Sequence, residues 1–110
     1  MKNYFKQLKV KEWLPTINKA VAVLKYEPDD LEKKLSIKFN ESHDELDYFK
    51  IAVFELVNKK QFCLIRYKGN PSSGTEIWIT NESLDINNEI DEILNNLQFN
   101  ESDLKWKLKD

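Results

Sequence analysis

The chain has little of what usually marks a catalytic or metal-binding protein. Among its 110 residues are one cysteine, one histidine and one arginine, with two glycines and three prolines. A single cysteine, Cys63, excludes an internal disulfide framework. It lies in the apolar run Phe62-Cys63-Leu64-Ile65 and reads as a small buried hydrophobe. The standard zinc patterns need more histidine and cysteine than this chain has, at defined spacings. With so few glycines and prolines, the connections between elements are expected to be short, with no linker and no second domain. Residues 1–110 are expected to form one domain.

Long apolar runs are absent too. No stretch approaches the roughly 18 residues of a membrane span, and the start, Met1-Lys2-Asn3-Tyr4-Phe5-Lys6, has no apolar region behind it to make a secretory signal. A cytoplasmic protein with no membrane contact is the expectation. Seventeen basic and nineteen acidic residues give a net charge of −2, and the signs are interspersed. Without the basic stripe that nucleic-acid binding leaves as its footprint, no nucleic-acid partner is expected.

What is present argues for a folded chain. Charged residues make up 33%, but aromatic residues reach 12%, too many for a disordered segment. Leu14, Ile17, Val21 and Leu24 recur at helical spacing and predict a helix over Lys11–Lys25, with Pro15 in its first turn. The segment from Tyr4 to Val10 is open between helix and strand. Pro28 and two acids suit a brief helix over Asp29–Lys34. Leu35, Ile37 and Phe39 alternate with polar residues as in a strand, and Glu41 to Asp47 reads as a loop. Tyr48–Val57 and Gln61–Tyr67 are apolar on both parities and read as central strands. For the first of these a helix is the rival, because Ser42-His43-Asp44-Glu45 matches a capping box.

Gly69-Asn70-Pro71-Ser72-Ser73-Gly74 is the strongest turn signal. It joins two strand patterns and lacks the ending of a phosphate loop, so it reads as a hairpin. Thr75 to Thr80 follows as a strand. Ile86, Ile90, Ile93, Leu94 and Leu97 form the stripe of a helix over Asp85–Leu97, with Asp85 as its cap. The alternating tail Leu104–Leu108 reads as a short strand or a docked terminus. The expected fold is α+β: a four-stranded antiparallel meander with an N-terminal and a C-terminal helix packed on one face.

Two constellations could carry function. His43 would share one strand face with Glu41, or stand one helical turn from Asp47. Either acid would serve a small hydrolase or ligand-binding enzyme; a solvated acidic turn is the plainer reading. Arg66, Lys68, Glu76 and Trp78 fall near one end of the hairpin that the Gly69–Gly74 turn closes. They read as a partner-binding surface, arginine and tryptophan being enriched at interface hot spots, or as a cross-strand charge pair beside an aromatic. The lone Arg66 reads either as composition bias or as a planar donor kept for bidentate pairing.

Central strands that are apolar on both sides need both sides covered. Two helices on one face leave the other to the termini, to a second copy or to another protein. The expected function is therefore a small non-enzymatic protein-binding or regulatory module, an accessory subunit or an immunity-protein-like blocker. Its expected partner is another protein or a second copy, with no cofactor and no metal. The alternative is the small enzyme using His43 with a nearby acid.

Overall fold

Residues rich in β-branched and aromatic side chains, apolar on both parities, are satisfied only inside a sheet covered on both sides. A computed structural model describes residues 5–9, 17–43, 47–56, 60–69, 73–80 and 85–108. Among these the chain runs β1 (Phe5–Leu8), β2 (Ile17–Leu24), α1 (Pro28–Leu35), β3 (Asn40–His43), β4 (Tyr48–Leu56), β5 (Gln61–Tyr67), β6 (Thr75–Thr80), α2 (Ile86–Leu97) and β7 (Leu104–Lys107). A 3-10 turn, Glu101–Asp103, precedes β7.

All seven strands join one antiparallel sheet in the order β1-β4-β5-β6-β2-β7, with β3 also on β4. One edge of β4 belongs to β5. The other is shared end to end: β1 pairs with Val53–Leu56 and β3 with Tyr48–Ile51. Gln7 spans the junction, donating to the Lys38 carbonyl at 2.5 Å and accepting from the Lys38 N–H at 3.3 Å.

The expected four-stranded meander with terminal helices is therefore corrected to a seven-stranded antiparallel sheet with two helices, both inserted between strands. The helix expected over Lys11–Lys25 fails because residues 17–24 are β2, held between β6 and β7; residues 11–16, with Pro15, lie outside the described residues. Register shifts at Ile17/Lys19 and Ala20/Ala22 break the period of two along β2. Val21 and Leu24, three residues apart, thus join the same core cluster and imitate a helical stripe.

The strand expected from Leu35 is displaced as well. Leu35 ends α1, Ser36 takes the left-handed conformation at φ 56°, and pairing starts only at Asn40. Leu35, Ile37 and Phe39 alternate because all three pack on the core, not because they form a ladder. Of the loop expected over Glu41 to Asp47, Glu41–His43 belong to β3, whose four residues are all exposed and so carry no apolar pattern, and residues 44–46 lie outside the described residues. Tyr48–Leu56 is strand, not helix. The Asp85 cap is present: its carboxylate accepts from the Asn88 N–H at 3.1 Å.

Both helices pack on one face, where Leu31 of α1 and Ile90, Ile93, Leu94 and Leu97 of α2 meet Ala52, Phe54, Phe62, Leu64, Ile77 and Ile79. Phe54 stacks on Phe62 at 5.2 Å and takes the edge of Phe5 at 5.3 Å. Each such ring buried contributes about 1.5–3 kcal/mol before entropy is counted. Ile51, Val53, Cys63 and Ile65 form a second cluster on the opposite face, with Leu8 and a rim of Phe49, Tyr67 and Trp78. Val53 and Cys63 are 0% exposed there, within a single chain. The centre of the second face is buried, and its aromatic rim is half-buried.

Candidate functional site

The helix-side face of the sheet is apolar only where the helices reach. Counting outward along β4, Phe54 and Ala52 are core, but Lys50 and Tyr48, on the same parity, are not. The register sets Glu41, Lys50 and Arg66 side by side across β3, β4 and β5. One step further out lie His43, Tyr48 and Lys68; the Lys68 N–H donates to the Tyr48 carbonyl at 2.8 Å. Neighbours in each row are about 5 Å apart at Cβ.

Like charges directly opposite destabilise a sheet, and Lys50 faces Arg66. The N-terminus of α1 offsets this. Asp29 pairs with the Lys50 ammonium at 3.4 Å, and Glu27 with the Arg66 guanidinium at 3.5 Å. Glu27 also accepts from the Gly74 N–H, tying the entry to α1 to the start of β6. Its own N–H donates to Asp30 at 3.3 Å, and Pro28 occupies the first turn, where no N–H is needed. Local capping thus positions Glu27, and the entry to α1 brings both carboxylates over the two cations.

Between α1 and these strands opens a cleft of about 810 Å³, lined by Glu27, Asp29, Glu41, His43, Tyr48 and Arg66 together with Pro28, Ser42, Phe49, Lys50 and Lys68. Tyr48 is 64% exposed, and its ring meets that of His43 at 5.6 Å. Asp47 braces the outer end: it accepts from the Tyr48 N–H at 2.8 Å and from the Gly69 N–H at 2.6 Å.

The four residues expected to form one binding surface are divided between faces. Arg66 and Lys68 line the cleft. Glu76 and Trp78 lie on the opposite face, where Trp78 packs over the Cys63 cluster and donates its indole N–H to Glu76 at 3.1 Å. His43 and Glu41 do share a strand face and the cleft, as one reading of the sequence requires, but no hydrogen bond joins them; Asp47 is a turn brace and does not line the cleft. Cys63 is walled off in the second cluster, and burial pushes its thiol well above the ordinary range. Among the described residues, no group of three or more potential metal ligands comes together, and no helix is long and apolar enough to cross a membrane.

Sequence reasoning missed Glu27, Asp29, Tyr48 and Lys50. The signal for the last two was the parity of β4, read outward from Ala52 and Phe54. Nothing in the sequence brings α1 over that end of the strand. The chain matches no protein-family model, and it finds no match among curated proteins or among solved structures.

Proposed function

We propose that this chain is a non-enzymatic protein-binding module, acting in the cytoplasm, that docks a partner in the cleft between α1 and the β3-β4-β5 end of the sheet. The observation that carries the reading is Tyr48, a large aromatic 64% exposed where it lines a cleft whose inner row is bridged to α1 by ion pairs. Exposed tyrosine and arginine are the side chains that most often anchor protein interfaces. A floor already paired and capped loses little further entropy on binding, which favours affinity. The buried centre of the sheet's second face supplies no reason for a second copy.

One observation favours a second reading, a small hydrolase or ligand-binding enzyme: His43 and Glu41 line the same cleft. General acid–base catalysis by a histidine gains from a partner that orients it, and no hydrogen bond joins His43 to Glu41.

A photo-crosslinking side chain placed at position 48, and at Lys33 on the exposed side of α1 as control, tests the proposal in extracts of the source cells. The expected result is a discrete adduct from position 48 alone, competed by excess unlabelled wild-type protein. Equal labelling from both positions, or adducts that wild-type protein does not compete, would contradict it. A turnover activity lost in His43→Ala would establish the enzyme reading in its place.

A further inference from the structure

The two rows of the cleft differ in what is already satisfied. In the inner row, Lys50 and Arg66 are engaged by Asp29 and Glu27, and Glu41 lies directly across the strand pair from Lys50. Three carboxylates there face two cations, so the inner row has no positive charge to spare. The outer row is different. Lys68 is exposed, and its ammonium has no side-chain partner among the described residues. His43, exposed and with the Tyr48 ring against it, offers a second nitrogen. Between them stands the open face of Tyr48.

We infer that the outer row, His43–Tyr48–Lys68, recognises an acidic side chain next to an aromatic one on the partner. The inference rests on the protein-binding reading of the cleft and names the chemistry of its ligand. A carboxylate reaching Lys68 or His43 makes a charge-assisted hydrogen bond, roughly twice as strong as a neutral one. Tyr48 gives a neighbouring ring an offset or edge contact. The inner row sets the polarity: its two cations are already engaged by α1, whereas an acid meets its donors in the outer row. The backbone bond from Lys68 to Tyr48 and the Asp47 brace on Tyr48 and Gly69 hold the backbone of the row in place, so only its side chains remain to be ordered on binding.

Three capped dipeptides test this on the full chain: acetyl-Glu-Phe-amide, its uncharged isostere acetyl-Gln-Phe-amide, and acetyl-Lys-Phe-amide. Nuclear magnetic resonance would follow the His43 and Tyr48 ring signals. Saturable shifts with Glu-Phe are expected, with affinity about tenfold weaker for Gln-Phe, the worth of one charged hydrogen bond. Lys68→Glu should abolish the shifts, while Lys33→Glu, the same charge change on the far side of α1, should leave them intact. Equal or tighter binding of Gln-Phe or Lys-Phe at these rings would overturn the inference and leave the cleft a binding surface of other specificity. Inorganic phosphate moving the same signals as strongly as Glu-Phe would overturn it too, making the row a free-anion site. Failure of position 48 to crosslink, with no dipeptide moving either ring, would sink both readings together.

Discussion

Cys63 behaves as its surroundings dictate. It is fully buried between Val53 and Trp78 in the strand ladders, and the apolar cluster disfavours the thiolate. A thiol-specific disulfide reagent at neutral pH should therefore leave the native protein unmodified and react with one equivalent once guanidinium unfolds it. Fast native labelling would mean that the second cluster opens. Tyr26 makes a second residue-scale prediction. Its hydroxyl donates to Asp103 ahead of β7, which raises the tyrosine above its ordinary range and lowers the aspartate below its own. The signs are opposite. The depressed Asp103 contributes stability that is present above the ordinary carboxylate range and is lost as pH falls through its lowered value. The raised Tyr26 contributes stability that is present below the ordinary tyrosine range and is lost as pH rises through its raised value. Thermal melts across pH should show both limbs, and Tyr26→Phe should flatten them relative to wild type.

At the scale of elements, the Gly74 turn is the most constrained point. Gly74 has φ +107°, and a Cβ there would run into the Leu24 carbonyl oxygen, which is backbone and cannot swing away. Gly74→Ala should cost about 1–3 kcal/mol in denaturant unfolding. Gly69→Ala meets only the Asp47 carboxylate at 2.8 Å, a side chain that can rotate, and should cost less. The reverse order would show that the turn is not built as described. Removing the cap with Asp85→Ala should destabilise α2 by about 1 kcal/mol. The turn and the cap were both legible in the sequence, because glycine and aspartate at those positions each answer a local need. So were β4, β5, β6 and α2, whose side chains report their burial. β3 was not legible, since four exposed residues are held in the sheet by backbone pairing with β4 alone. Nor was β2, whose bulges convert a strand's period into a helix's.

For the whole molecule, what escaped the sequence is long-range order. Placing β2 between β6 and β7 joins segments far apart in the chain, and no local pattern records that choice. The same holds for the cleft: Arg66 and Lys68 stood out by residue type, but the carboxylates that fix the floor come from α1, and the grouping with Glu76 and Trp78 fails because β6 presents those two on the other face. Two-sided apolar strands called for a cover from the termini, a second copy or another protein; in the single chain Val53 and Cys63 are already fully buried. Core substitutions should therefore act on stability and not on partner choice, Phe54→Ala costing about 3–5 kcal/mol of unfolding free energy.

If the chain docks a protein partner as proposed, the partner meets the cleft around Tyr48 and not the opposite sheet face around Trp78. Competition for the adduct formed from position 48 separates them, using excess unlabelled Tyr48→Ala and Trp78→Ala proteins, each first shown to be folded by its melting transition. The prediction is that Trp78→Ala competes as wild type does, while Tyr48→Ala does not. Competition by Tyr48→Ala and none by Trp78→Ala would contradict it.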